Sequence, residues 1–147
     1  MFRSNDLHHL FIGILILYFC SNAVAGTAEK IPNLQCHVSG EIVFIGFSVY
    51  GTTKVVPKSS VFISFSEDQI DVDAPSPFQL YGKFIAKEQI ILARYVDNLN
   101  GNKYDRLIEI RRDSGSVKIH SDDFVEGGKR IIGDVRGYCE KVTGKKF

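Results

Sequence analysis

The chain has 147 residues, of which 44% are hydrophobic and 24% are charged, and this composition excludes a disordered chain and a multi-span membrane protein. Its 18 Lys and Arg residues nearly balance its 17 Asp and Glu residues, for a formal net charge of +1. Such a balance gives no indication of a nucleic-acid partner. The length fits one domain.

The first segment of the chain is an apolar run from Leu10 to Cys20. This run is about half as long as the ~20 residues that a membrane-spanning helix needs, and it fits the core of a signal peptide. Ala23 and Ala25 follow in the small-x-small arrangement that a signal peptidase requires. We therefore predict a signal peptide over residues 1–25, cleaved after Ala25, and one mature domain over residues 26–147. An uncleaved N-terminal anchor is the alternative.

Cleavage also changes the cysteine count, because Cys20 leaves with the signal peptide and only Cys36 and Cys139 remain. In an exported protein two cysteines allow a single pairing, so we expect a disulfide between them. The C-x-x-C spacing of metal and redox sites is missing, and we expect neither a metal nor a cofactor. On a strand, His37 would point away from Cys36 and would not act as a further ligand.

The mature chain consists of short runs in which apolar and polar residues alternate, such as Val61 to Phe65 and Val117 to Ile119, with turn residues between them. This period of two is typical of half-buried antiparallel strands. We predict strands over about 33–39, 41–50, 60–66, 69–73, 79–86, 89–97, 103–112 and 116–120, and a ninth over about 131–139.

Residues 121–130 are predicted to be a loop or one helical turn. The predicted fold class is all-β: a single small antiparallel barrel or sandwich of about 8–9 strands. The expected disulfide would close it by joining the first strand to the last.

Hairpin registers are predicted from the loop length that brings apolar residues to one face of the sheet. A two-residue loop at Ser114-Gly115 pairs Ile110 with Ile119. At Asn100-Gly101, a three-residue loop pairs Leu92 with Ile110 and is preferred to an even loop.

The segment Asp97–Asp105 is rich in the oxygen-bearing side chains that calcium prefers, but Leu99 occupies the third position, where a calcium hand needs an oxygen. The segment is therefore interpreted as a polar hairpin tip. Its exposed residues make it the predicted partner-binding surface, namely Asn98, Asn100, Gly101 and Tyr104.

Two groups of side chains are of the types that act in catalysis. Asp71 and Asp73 share one face of a predicted strand, which is also the ordinary pattern of a solvated face. His120 is followed by Ser121 and two aspartates, so a hydrolase centred on His120 is an alternative function. A simpler interpretation pairs His120 with Glu109 across two strands. We predict no catalytic residue.

The aromatic side chains of the mature chain are interpreted as core. If the sheet closes as a barrel, residues such as Phe44, Phe62 and Phe84 would instead line a cavity for an apolar ligand, which is a second alternative function.

Three segments resemble those of a set of short, mostly uncharacterised exported proteins of proteobacteria. They are Leu34-Gln-Cys36 in the first strand, Ile108–Gly115 with its basic end and glycine turn, and Gly137-Tyr-Cys139. The resemblance covers the layout of the mature chain, and it implies an exported β-domain without implying an activity.

A fainter resemblance is to periplasmic lysozyme inhibitors, which are small disulfide-bearing β-barrels. Their inhibitory loop has the form Ser-x-Ser-Gly-x-x-Tyr, and Asn98–Tyr104 has the glycine and the tyrosine at that spacing without the two serines.

We therefore expect an exported, non-enzymatic β-domain that binds a protein or another extracytoplasmic partner. It is expected to be periplasmic or secreted, monomeric, and without a membrane span once the signal peptide is removed.

Overall fold

The computed structural model describes residues 30–47 and 52–142, and the predicted signal peptide and its cleavage site lie outside these residues. The described residues form eight antiparallel strands that close into a barrel in chain order. The strands are β1 (Leu34–Ile45), β2 (Thr52–Ser66), β3 (Gln69–Asp73), β4 (Leu80–Ala86), β5 (Ile90–Leu99), β6 (Asn102–Arg111), β7 (Ser116–Val125) and β8 (Lys129–Lys141). The all-β prediction is confirmed, and the architecture is a barrel.

The barrel closes between its first and last strands, where β1 pairs with β8 from Leu34–Lys141 to Ile45–Arg130. Cys36 and Cys139 lie directly opposite each other in this ladder and form a disulfide with an S–S distance of 2.06 Å. The predicted pairing is confirmed. A disulfide of this kind is typical of proteins in oxidising, extracytoplasmic compartments.

Aliphatic side chains fill the interior of the barrel. Their alternation along each strand brings Val and Ile side chains inward, and several of them are completely buried, including Ile63, Ile70 and Ile108. Phe78, from the loop between β3 and β4, packs in the core and is the one buried phenylalanine among the described residues. Gly133 makes room for it, because a Cβ atom at that position would lie 2.6 Å from the Phe78 ring.

The structure corrects both predicted hairpin registers. The β6–β7 connection is a four-residue turn over 112–115, so Ile110 pairs with Val117 and Ile108 pairs with Ile119. The predicted pairing was wrong by two residues along β7. Because a shift of two residues keeps every side chain on the same face, the apolar pattern does not distinguish the two registers.

The β5–β6 turn has two residues, and the predicted three-residue loop was wrong. Asn100 and Gly101 adopt φ values of 51° and 78°, as the type I′ turn favoured in tight hairpins requires. Leu99 therefore pairs with Asn102, and Ile91 rather than Leu92 pairs with Ile110.

Several strand boundaries also differ from the prediction, and β2 begins at Thr52 rather than at about residue 60. The two strands predicted over 33–39 and 41–50 are one strand, β1, which continues through an irregularity between Val38 and Gly40. β1 ends at Ile45, where Gly46 bends the chain with φ of 76°. Residues 121–125 continue β7, paired to β8, and are not a loop. The alternation of apolar residues does not show this, because the inward positions hold the polar residues Ser121 and Asp123.

β4 and β5 are paired over only part of their length. They pair at Phe84–Ala93, Ile85–Leu92 and Ala86–Ile91, although β4 begins at Leu80 and β5 extends to Leu99. We call the unpaired region, with Tyr81 and Lys83 on one side and Arg94 and Val96 on the other, the β4–β5 gap.

Candidate binding cleft

A solvent-open cleft of about 580 Å³ extends from the outer face of β2, β3 and β4 to the β4–β5 gap. It is lined by Phe62, Ser64, Asp71, Val72, Asp73, Gln79, Leu80, Tyr81, Tyr95 and Arg106. Register brings the outer-face members together, since Phe62 pairs with Asp73 and Asp71 pairs with both Ser64 and Tyr81. We refer to this surface as the cleft.

Exposed aromatic rings form the apolar part of the cleft. Tyr81, at the border of the β4–β5 gap, is 63% exposed, and Phe62 is 37% exposed although its strand is paired on both sides. Rings held in a concave surface and open to solvent are typical of sites where a partner is bound.

Tyr95 and Arg106 contribute the polar atoms at the β5–β6 side of the cleft. Tyr95 donates its hydroxyl hydrogen to Oδ2 of Asp97 at 2.7 Å. This hydrogen bond, helped by burial, raises the pKa of Tyr95 above its ordinary value of 10.0, so the ring stays neutral at physiological pH.

The guanidinium group of Arg106 has three contacts. Its Nη2 donates to Oδ2 of Asp123 at 2.9 Å, and its Nη1 donates to the carbonyl oxygen of Gln79 at 2.6 Å. Its guanidinium also lies 5.4 Å from the centre of the Tyr104 ring. Asp123 thereby neutralises the charge of Arg106, and the bond to Gln79 anchors the loop that carries Phe78.

Asp71 and Asp73 give the cleft its electrostatic character. Both carboxylates lie on the outer face of β3, as the alternation predicts, and neither has a hydrogen bond or an ion pair among the described residues. With Arg106 already paired to Asp123, the cleft presents a negative surface.

The predicted hairpin tip does not form a single surface. Asn98 is exposed on the outer side of β5, and Asn100 and Gly101 form the turn itself. Tyr104, in contrast, is half-buried on the inner side of β6 beside Arg106. Asn98 and the turn remain next to the β4–β5 gap, because they continue the strand that borders it.

His120 and the three residues that follow it do not form one site in the structure. His120 lies on the outer face opposite Leu107, so the predicted pairing with Glu109 was wrong, and its Nδ1 is 2.9 Å from Oδ1 of Asp134. Ser121 is completely buried on the inner face.

The two aspartates after Ser121 also separate. Asp122 binds Arg130 outside the barrel, and Asp123 binds Arg106 inside it. Among the described residues no group of three His, Cys, Asp or Glu side chains is arranged to hold a metal ion. In the same ranges no helix is long and apolar enough to cross a membrane.

The sequence predicts only part of the cleft. Alternation puts Asp71 and Asp73 on one face of a strand, but it does not predict that Phe62 and Tyr81 flank them. The signal that was available is the aromatic residue at an outward position, where alternation predicts a polar one.

A second, more open depression of about 460 Å³ lies beside the β7–β8 turn and includes Phe47, Glu126 and Lys129. The Lys129 ammonium lies 5.2 Å from the centre of the Phe47 ring. The ring is therefore already engaged, and the cleft is the better candidate.

Comparisons with protein-family models, with curated proteins and with solved structures find no significant match to this chain.

Proposed function

We propose that this protein is an extracytoplasmic, non-enzymatic binding module whose partner docks in the cleft and on the adjoining outer side of the β5–β6 hairpin. The observation that carries the proposal is the exposure of Tyr81 and Phe62 in a concave, negatively charged surface. Tyrosine is among the residues that most often dominate binding energy at protein interfaces.

The position of His120 supports a role without catalysis. A hydrolase needs a nucleophile and a base on the same side of the sheet, within hydrogen-bond reach of each other. Ser121 points into the core whereas His120 points to solvent, so these neighbours do not form such a pair.

The packing of the barrel supports a surface site over an internal one. Aliphatic side chains and Phe78 occupy the interior, and Phe62, which would have lined a lumen for an apolar ligand, lies outside in the cleft. A solid core with an exposed patch is the arrangement expected of a protein-binding module.

The proposed location outside the cytoplasm, in the periplasm or beyond it, rests on two features. The Cys36–Cys139 disulfide requires an oxidising environment for its formation. Residues 1–25 have the pattern of a signal peptide. The resemblance in layout to small exported proteobacterial proteins agrees with this proposal, and the fainter likeness of Asn98–Tyr104 to the loop of periplasmic lysozyme inhibitors supports a partner at the β5–β6 hairpin.

The proposal is tested by affinity capture from the extracytoplasmic proteins of the cells that produce this chain. Three baits are compared: the native protein, Tyr81→Ser in the cleft, and Tyr138→Ser on β8. Tyr138 is a matched control because it is 48% exposed and lies on the disulfide side of the barrel.

We expect the same partner on the native protein and on Tyr138→Ser, and we expect it to be lost from Tyr81→Ser. A partner that all three baits retain equally would show that the cleft is not its binding surface and would overturn the proposal.

A further inference from the structure

The β4–β5 gap exposes backbone groups that are normally paired inside a sheet. The two-residue turn makes Leu99–Asn102 the hydrogen-bonded closing pair, and in an antiparallel ladder such pairs alternate with non-bonded ones. Tyr95 and Asp97 therefore exchange hydrogen bonds with β6. Arg94, Val96 and Asn98 direct their N–H and C=O groups the other way, into the gap.

We call this row of backbone groups, at Arg94, Val96 and Asn98, the β5 edge. Among the described residues no strand pairs with it beyond Arg94, since β4 is paired to β5 only as far as Phe84–Ala93. The N–H of Asn98 is bonded to Oδ1 of Asp97 at 2.8 Å, and the end of the ladder at Phe84–Ala93 directs the Arg94 N–H to Lys83. The N–H of Val96 and the carbonyl oxygens of Val96 and Asn98 are left for a ligand.

The basic side chains that border the gap are directed away from it. Arg94 donates from Nε and Nη2 to Asp105 on β6, at 2.9 and 2.7 Å. Lys83 lies 3.0 Å from a carboxylate oxygen of Asp68, at the β2–β3 turn. The carboxylates of Asp71 and Asp73 in the adjoining cleft have no such partner among the described residues.

We propose that the β4–β5 gap binds an extended, basic peptide segment of the partner, which adds to β5 as a new strand. This inference deepens the proposed function and rests on it. The peptide backbone would bond to the β5 edge, its outward side chains would pass over Tyr81 toward Asp71 and Asp73, and its inward side chains would meet the apolar residue Leu80. An alternating sequence of basic and small apolar residues meets both requirements.

A second copy of this chain fits the gap less well. Two copies paired edge to edge would bring two negative clefts together, and like charges at an interface oppose association. A basic peptide instead supplies the complementary charge. The occupant we commit to is therefore a peptide of another protein.

The probe is the fluorescein-labelled peptide Thr-Val-Lys-Val-Lys-Val-Thr, measured by fluorescence anisotropy against the native, disulfide-bonded protein. Two further peptides separate the contributions of charge and backbone. In one, both lysines are replaced by glutamate. In the other, the amides that would face β5 are N-methylated, which removes their hydrogens without changing the charge.

We expect saturable binding of the lysine peptide and at least about tenfold weaker binding of each modified peptide. The Asp71→Asn/Asp73→Asn protein should also lose at least about tenfold in affinity for the lysine peptide. Equal binding of the N-methylated peptide would mean that no strand is added and would overturn the inference, as would absence of saturable binding of the lysine peptide.

A pair of variants tests the β5 edge from the side of the protein. Val96→Pro removes the N–H that faces the gap without removing a bond to β6, whereas Val96→Ala keeps that N–H. We expect Val96→Ala to bind the lysine peptide and Val96→Pro to lose it, with the N-methylated peptide as the independent test if Val96→Pro fails to fold. If size-exclusion chromatography shows a native dimer that Val96→Pro abolishes, a second copy occupies the edge and the inference is overturned.

The two proposals fail in different ways. A captured partner that depends on Tyr81 but is retained by Val96→Pro would leave the proposed function standing and would refute strand addition alone.

Discussion

Arg106 joins three parts of the molecule: β6, on which it lies, β7 through Asp123, and the Phe78 loop through the carbonyl of Gln79. The side chains of Arg106 and Asp123 are 15% and 5% exposed, so this ion pair is largely removed from water. Removing one partner leaves the other charge buried and unpaired. The resulting loss in the free energy of unfolding is larger than the net stabilisation that the intact pair provides.

We therefore predict that Asp123→Asn lowers the free energy of unfolding by about 3 kcal/mol. Asp113→Asn is the control, because Asp113 also pairs with an arginine, Arg111, but both side chains are about half exposed. Urea unfolding followed by circular dichroism provides the measurement. Equal effects of the two substitutions would contradict the role given to Arg106.

Gly137 is a second residue whose substitution tests the barrel locally. A Cβ atom there would lie 1.8 Å from the carbonyl oxygen of His37 on the neighbouring strand, whereas a Cβ atom at Gly82 would meet no atom within 4 Å. We predict that Gly137→Ala destabilises the protein by at least about 2 kcal/mol and that Gly82→Ala changes stability by no more than about 0.5 kcal/mol. Thermal unfolding of both variants distinguishes this close approach from a general intolerance of alanine for glycine.

At the scale of strands, ion pairs connect neighbouring elements along the outer face from β5 to β8. Arg94 on β5 binds Asp105 on β6, and Arg130 on β8 binds Asp122 on β7. The hydrogen bonds from these guanidinium groups lower the pKa of both carboxyls below their ordinary value of 3.8.

A carboxyl whose pKa is lowered by folding stabilises the native state above the pKa of the unfolded chain, and this contribution is lost as the pH falls through the lower native pKa. We therefore predict that the melting temperature decreases as the pH falls below about 4, and that Asp105→Asn/Asp122→Asn makes this decrease shallower. Asp71→Asn, a carboxylate on the same barrel without an ion pair among the described residues, should leave the slope unchanged. An unchanged slope in the double variant would contradict the prediction.

The strands show what alternation does and does not predict. Where the inward residues are aliphatic, as in β3 with Ile70 and Val72, the predicted boundaries of 69–73 are those observed. Where the inward residues are polar, as at Ser121 and Asp123 in β7, the pattern resembles a loop and the strand was predicted to end too early.

The cleft is harder to predict from sequence, because it forms where β4 and β5 are not paired. Tyr81 and Val96 are on strands whose local sequences give no sign that β4 and β5 separate before reaching them. Which residues face a gap depends on how far two strands stay paired, and this is a property of the closed barrel. The paired cysteines near the two chain ends, in contrast, predicted directly which strands close it.

At the scale of the whole molecule, the Cys36–Cys139 disulfide links residues 103 positions apart in sequence. Closing a loop of that length removes conformational entropy from the unfolded chain, and the chain-entropy model assigns about 4–5 kcal/mol to the constraint. This is comparable to the total stability of many small domains, which lies near 5–15 kcal/mol at about 0.05–0.15 kcal/mol per residue.

We predict that reduction lowers the free energy of unfolding by up to about 4–5 kcal/mol, measured by urea unfolding with and without reductant. The Cys36→Ala/Cys139→Ala protein is the control, because reductant should not affect it. A native protein whose stability is insensitive to reductant would contradict the structural role of the disulfide.

The two opposite sides of the barrel differ in how they are closed, and this difference has a consequence for its motions. β1 and β8 are paired along all of β1 and cross-linked, whereas β4 and β5 are paired only near Ile85 and Leu92. Local opening of a folded protein occurs where it breaks the fewest hydrogen bonds, so the amides of Ile85 and Leu92 should exchange with deuterium before those of Val38 and Val135. A strand bound at the gap would slow that exchange, and binding would then be visible as a stiffening of the side of the barrel farthest from the disulfide.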